Sequence, residues 1–265
     1  MFIKFVCAIV LVILSLGCSN KIEKSVYYPA YTENYKLSPD DSIMLDSIQH
    51  KTFLFFLNER NPENGLVKDR SGSWAPASIA SIGFALPSYA VGVERGWITR
   101  DEVAKITLTI LNFFMNSVQS PDTNVTGYQG FYYHFVRMNS GTREWNCELS
   151  TVDTGLLMMG IIFSRNYFDQ NNDIENEIRK LSAKLTGRLN WDFFQMPASD
   201  EDAYSISMGW TPEQGLHDMG WVGYNEALFL YILAAGCNMK DVELTLSITK
   251  KLASMMGGTI NVTGS

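Results

Sequence analysis

The feature that most limits what this chain can fold into is an alternation in the character of its helices. Seven segments carry helical signals: "DSIMLDSIQHKTFLFFLNE", then 78–96, 99–118, 150–168, 173–191, 225–236 and 240–256. The first, third, fifth and seventh have charged faces and read as amphipathic. The second, fourth and sixth are apolar or small nearly all round, which predicts burial on most sides. Pro87 falls inside the second and predicts a kink or a local opening of its hydrogen bonding. Buried helices alternating with amphipathic ones predict an inner ring wrapped by an outer one. The inner segments begin near 76, 150 and 225, a spacing of about 75 residues, so the repeat is one of outer–inner hairpins rather than of residues.

The connections alternate as well. Inner-to-outer turns are short, at 95–98 and 169–172, whereas outer-to-inner links are long, at about 59–76, 119–149 and 192–224. Every long link therefore enters the start of an inner helix, and long loops on a rigid scaffold are where sites are built. Alternating aromatics in "GYQGFYYHF", followed by Asn-Ser-Gly-Thr, predict a small β-hairpin laid over that end, with His134 or Tyr133 near a ligand.

Two carboxylates, Glu148 and Asp153, stand five residues apart in "NCELSTVDTGLLMMG", where an apolar helix begins. Ser150-x-x-Asp153 resembles a capping box, so Asp153 is either a cap or a site residue that also caps. Glu148 precedes the cap and is either exposed or directed into the site. A second cluster, "GWTPEQGLHDMGWVGYNEALFLY", offers Trp210, Trp221 and Tyr224 as flat faces. It also supplies Glu213, Asp218 and Glu226 as carboxylates and His217 as a polar ring. Flat aromatics beside acids suit a sugar, which stacks through its C–H face and binds through its hydroxyls; the same aromatics also suit a core. Glu226 falls in the first turn expected for the sixth helix, either exposed at a cleft or buried and paired. As a general acid near neutral pH it would need burial or a second carboxylate to raise its pKa. Asp69 and Arg70, with Trp74 nearby, are either a ligand clamp or a solvated pair. Glu94-Arg95, at the far end of its helix, reads as structural.

The N-terminus "MFIKFVCAIVLVILSLGC" has one positive charge, an apolar run too short to span a bilayer, and small residues leading into Cys18. It predicts a lipoprotein signal peptide over 1–17, lipidation of Cys18, a tether over 18–38 and a helical domain over 39–265. An ordinary signal peptide with an incidental cysteine is the other reading. Cys147 and Cys237 then remain, too few for a disulfide framework and without metal-ligand spacing, so both are expected as free thiols. The formal charge of −7 excludes the basic footprint of a nucleic-acid binder. "DQNNDIE" lacks the sixth-position glycine and twelfth-position glutamate of a calcium loop. No Walker, dinucleotide-binding, zinc-pair or Gly-x-Ser-x-Gly pattern occurs. No cofactor and no metal are expected.

Eight strings in order, "GLVKDRS", "SIASIGFAL", "GVERGWITRDE", "GFYYHF", "WNCELSTVDTGLL", "YFD", "GWTPEQG" and "GYNEA", resemble the bacterial glucoamylase-like domain of glycoside hydrolase family 144, over about residues 45–236. The resemblance implies an all-α (α/α)6 toroid, here incomplete, and inverting hydrolysis of β-1,2-glucan. It implies Glu226 as the proton donor and Asp69, Arg70, Glu148, Asp153 and the tryptophans at sugar subsites; His134 and Tyr224 join Trp210 and Trp221 as candidate substrate contacts. The match fades after Gly236, so a truncated chain is expected, with the catalytic base in the family's continuation. The expected partners are a glucan and, through the lipid alone, a bacterial envelope membrane, and the chain is expected to be a monomer. A glucosidase of another linkage and an inactive glycan-binding lipoprotein are the competing functions.

Overall fold

The computed structural model describes residues 36–197, 205–223 and 225–236. Among them are six helices: α1 (Pro39–Asn58), α2 (Ile79–Glu94), α3 (Arg100–Asn116), α4 (Thr151–Tyr167), α5 (Asp173–Gly187) and α6 (Leu228–Gly236). The expected seventh helix, over 240–256, lies outside the described residues, as do Cys18, Cys237 and the 18–35 stretch. The chain divides into two compact units, Met1–Met44 and Leu45–Ser265, with the division falling within α1. In the second unit α2 packs on α4, α3 on α5, and each outer helix on the inner helix before it. Inner-on-inner and outer-on-outer packing is the double layer that the alternation predicts.

The inner pair is joined through two glycines. A Cβ on Gly83 would stand 2.5 Å from the Leu156 carbonyl oxygen, and one on Gly160 would collide with the Gly83 carbonyl oxygen. Backbone therefore touches backbone, a distance no larger residue allows. Pro87 sits within α2 without ending it, and Ser88 Oγ donates to the Phe84 carbonyl at 2.9 Å. The inner helices are less enclosed than their composition predicts: Phe84, Met159, Phe163 and Ile232 are exposed. The outer helices cover one face of the inner layer, so the opposite face stays open among the described residues.

The outer layer is pinned by an ion pair at its turns. Arg100, the first residue of α3, donates from Nε to Glu175 Oε1 and from Nη2 to Glu175 Oε2, each at 2.9 Å, and to the Tyr167 carbonyl at 2.9 Å. Glu175 is buried and stands in the first turn of α5, whose cap Asn172 accepts its N–H at 2.9 Å. The Thr99–Glu102 capping box closes the same end of α3. α5 stops at Gly187, earlier than predicted, and Trp191–Phe194 instead forms a 3-10 turn that buries Trp191 and Phe194.

The long links fold into short strands. β1 (Ala77–Ser78) pairs with β4 (Phe135–Val136), β2 (Gly127–Tyr128) with β3 (Phe131–Tyr132), and β5 (Leu149–Ser150) with β6 (Gly209–Thr211), which pairs in turn with β7 (Gly215–Leu216), all antiparallel. The predicted Asn-Ser-Gly-Thr turn is present, with Val136 bridged antiparallel to Arg143 and the Arg137 N–H donating to the Thr142 carbonyl at 2.8 Å. The stretch before it also folds back on itself as the β2–β3 hairpin, turning through Gln129 and Gly130, both at positive φ (55° and 85°). It is one of several ladders, because β1 and β5 lead directly into α2 and α4 and recruit strands from other links.

Gly83→Ala is expected to cost about 1–3 kcal/mol, because α2 and α4 must part. Gly187→Ala has open space around the new methyl and is expected to be neutral or to stabilise by about 0.4–1 kcal/mol. Opposite shifts of the urea midpoint for the two variants check the assignment.

Candidate functional site

One strand segment ties together the starting ends of two inner helices, α2 and α4. The His134 carbonyl accepts the N–H of Ile79, first residue of α2, at 3.1 Å, and the His134 N–H donates to the Glu148 carbonyl at 2.9 Å, just before β5 and α4. Tyr133 is fully buried against the Arg143 guanidinium at 4.8 Å, as Phe131 and Tyr132 before it are buried, and His134 is partly exposed. Of the two candidates the sequence leaves open in "YYHF", the structure selects His134 and assigns Tyr133 to packing.

His134 lies between two acids. Nδ1 is 3.0 Å from Glu148 Oε1 and Nε2 is 3.6 Å from Asp153 Oδ1. Asp153 serves as cap and site residue at once: Ser150 Oγ accepts its N–H at 3.2 Å and donates to Asp153 Oδ2, leaving Oδ1 toward the imidazole. Glu148 is held from below by β6, since a Cβ on Gly209 would lie 2.8 Å from Glu148 Cγ.

The electrostatics follow from this sandwich. Burial alone would lower the pKa of His134, but Glu148, Asp153 and, more distantly, Asp69 outweigh it and the net shift is upward. Burial pushes Glu148 up, and the hydrogen bond from His134 with the surrounding charge overturns that to a net depression. Asp153, more deeply enclosed, is raised by burial against the opposing pull of His134 and Ser150. The group is an imidazole whose protonated form is favoured by the carboxylates on either side: a polar, hydrogen-bonding cluster of a kind suited to hydroxyl groups.

The donor atoms of His134, Glu148 and Asp153 lie within 4.8 Å of one another, close enough to suggest an ion. The two acids address opposite nitrogens of one ring, however, whereas ligation requires all donors to turn toward a single point. The geometry fits an ionic hydrogen-bonded triad.

The other predicted residues divide. Asp69 and Arg70 bind each other, with Arg70 Nη2 2.6 Å from Asp69 Oδ2 and Arg70 well exposed. Trp210 sits in β6 against Tyr128 at 5.4 Å and Phe193 at 5.9 Å, and Trp221 Nε1 donates to Thr151 Oγ1 at 3.0 Å, so both are at least partly packing residues. Glu213 forms a bidentate pair with the buried Arg143, at 2.7 and 3.0 Å, a structural role the sequence did not reveal. Cys147 is a half-buried thiol exchanging hydrogen bonds with the Phe135 backbone, and burial pushes it up to about 11. Tyr224 lies outside the described residues. Glu226 is exposed in the turn before α6 rather than in its first turn, because the Asn225 side chain accepts the Ala227 N–H at 2.9 Å and delays the helix to Leu228. Two anchors bracket it: Trp221 on Thr151, and Phe229 and Leu230 closing on Gly155. Both anchors belong to the first turns of α4, beside Asp153. Sequence reasoning passed over Arg143, whose carboxylate partner Glu213 stands 70 residues away and leaves no local pattern.

Layered inner and outer helices with looped starting ends define a glucoamylase-like (α/α) toroid architecture. No protein-family model matches the chain. It is similar to the exo beta-1,2-glucooligosaccharide sophorohydrolase (non-reducing end) of Parabacteroides distasonis, 24% identical over 81% of this chain and 31% of that enzyme. A crystal structure assigned as a glucoamylase, from Bacteroides uniformis, superposes with TM-score 0.67 at 28% identity, covering 83% of this chain and 51% of that one. The endo-beta-1,2-glucanase of Chitinophaga pinensis, solved with sophorotriose and glucose, shares the fold at TM-score 0.63 and 19% identity, over 78% of this chain and 49% of that one. The chain thus spans about half the length of the solved structures and about a third of the curated relative.

Because the folded pKa of His134 is raised, its stabilising contribution is complete below the unfolded value of about 6.5 and is lost as pH rises through the folded value. Glu148 has the opposite sign: depressed on folding, it contributes above the usual carboxylate range and loses that contribution as pH falls through its folded value. An NMR titration of the imidazole is expected to give a pKa above that of a free histidine in the native chain and a lower one in Glu148→Gln.

Proposed function

We propose that this chain forms the sugar-binding part of a β-1,2-glucan hydrolase. The reading is carried by the convergence of the His134–Glu148–Asp153 triad and the Glu226 turn on the first turns of one inner helix. The similarity to β-1,2-glucan-processing enzymes supports the substrate class. In this reading the triad grips sugar hydroxyls: Glu148 and Asp153 accept their protons, and His134 fixes both carboxylates in place. Glu226, exposed in this chain, donates a proton to the departing glycosidic oxygen as the bond to the anomeric carbon breaks, once bound sugar and the continuation found in the relatives enclose it. Water adds to that carbon from the opposite face and gives its proton to a second carboxylate. Inversion places that base about 6.5–9.5 Å across the sugar.

Release of reducing ends from linear β-1,2-glucan tests the assignment. In a full-length relative that carries the continuation, glutamine in place of the glutamate matching Glu226 is expected to lower it by about 10²-fold or more while sophoro-oligosaccharide affinity holds. Unchanged turnover removes Glu226 as the donor. Tight binding by the unsubstituted chain with no reducing ends released replaces hydrolysis with glycan capture.

We also propose lipid anchoring at Cys18 to a bacterial envelope. The support is the short apolar run and the small residues before the cysteine. Cys18→Ala is expected to move the protein from the membrane fraction to the soluble fraction and to abolish incorporation of labelled palmitate.

A further inference from the structure

The molecule has a second candidate for sugar contact, away from the triad. Trp74 and Trp145 come from two different links and meet with ring centroids 6.4 Å apart, yet they remain 67% and 53% exposed. Indoles are costly to leave in water, and a wet pair is the exception that calls for a ligand.

The backbone shows that the pair is built. Trp145 and Asn146 both hold positive φ (54° and 52°), a conformation that non-glycine residues avoid and that the surroundings must enforce. Arg143 enforces it: its buried guanidinium donates to the Asn146 carbonyl at 2.7 Å and to the Cys147 carbonyl at 2.6 Å, while Glu213 fixes it from the other side. The strained turn thus displays an indole that stays 53% exposed although it meets Phe135 and Trp74.

The rings form a continuous track from the triad. His134 stacks on Phe135 at 4.0 Å, Phe135 meets Trp145 at 5.3 Å, and Trp145 meets Trp74, over which Arg70 lies at 5.8 Å. Beside the two tryptophans opens a cleft of about 770 Å³. Its charged lining is balanced: Glu59, Glu63 and Glu144 against Arg60, Lys68 and Arg137. Lys68 pairs with Glu59 at 2.7 Å and Arg137 with Glu144 at 3.1 Å. A balanced, paired rim offers hydrogen bonds without a net field, which suits a neutral polyhydroxylated ligand better than an anion or a cation. Arg60 Nε adds a buried donor that has no partner among the described residues.

We propose that Trp74 and Trp145, with the adjoining cleft, form a distal subsite that holds glucose units of a glucan chain beyond those at the triad. This rests on the glucan reading above. The subsite stacks on sugar C–H faces and sets the preference for chain length, while the triad contacts the sugar nearest the scissile bond.

The test is calorimetry on the full chain with sophorose, longer sophoro-oligosaccharides, and cello- and laminari-oligosaccharides of matching length. Trp74→Ala and Trp145→Ala are each expected to weaken binding of the longer sophoro-oligosaccharides on the order of tenfold and to leave sophorose affinity unchanged. Trp74→Phe, which keeps a flat face, is expected to restore most of the loss. Both residues are exposed, and unchanged circular dichroism accompanies the expected result. Long-chain affinity that neither alanine variant moves overturns the subsite, whatever the linkage bound. Binding of cello- or laminari- in place of sophoro-oligosaccharides, still lost on both alanine substitutions, upholds the subsite and sinks the β-1,2 assignment. No binding of any of these glucans overturns both.

Discussion

The contact between α2 and α4 at Gly83 and Gly160 is the constraint on which the rest of the site depends. Two inner helices that touch through backbone bring their leading ends within reach of a single strand, and that strand carries His134. With side chains at the crossing the helices would stand apart, and one residue could not both accept from Ile79 and donate to the Glu148 peptide. Packing in the middle of the inner layer thus fixes hydrogen bonding at its end. The outer layer adds rigidity through Arg100 and Glu175 at turns remote from the chemistry.

The site depends on where the buried run of its central strand ends. Tyr132 and Tyr133 are both sealed into packing, and His134, where the chain bends, is left partly exposed between the two acids. The acids flanking it reach that face by different routes. Asp153 arrives as part of a helix cap, and Glu148 arrives on a strand that leaves room for it only because its neighbour is Gly209. A cap, a bare glycine and a strand register together orient three polar groups into one hydrogen-bonded cluster.

Strain is concentrated where the surface is most exposed. The left-handed Trp145–Asn146 pair is held from its C-terminal side, where a buried arginine donates to the Asn146 and Cys147 carbonyls. The same arginine binds Glu213, so a carboxylate that looks available for a sugar maintains the shape of an aromatic display instead. The charge that would be lost to solvent at one edge of the site is used to fix a ring at the other.

The alternation of helix character and of link length was legible in the chain itself, because hydrophobic periodicity and loop length are local properties. So were the cap at Ser150, the turn at Asn139–Thr142 and the concentration of acids at leading ends. The start of α6 was misplaced by a side-chain hydrogen bond from Asn225, and the end of α5 by a 3-10 turn that packing of Trp191 favours. The sequence by itself determined which ends of which helices could host a site. Only the tertiary structure decided that His134 rather than Tyr133 faces it, that Glu213 belongs to Arg143, and that Trp74 meets Trp145. Those outcomes depend on contacts between segments about 70 residues apart, and no local pattern of apolar and polar residues encodes which distant partner a side chain will find.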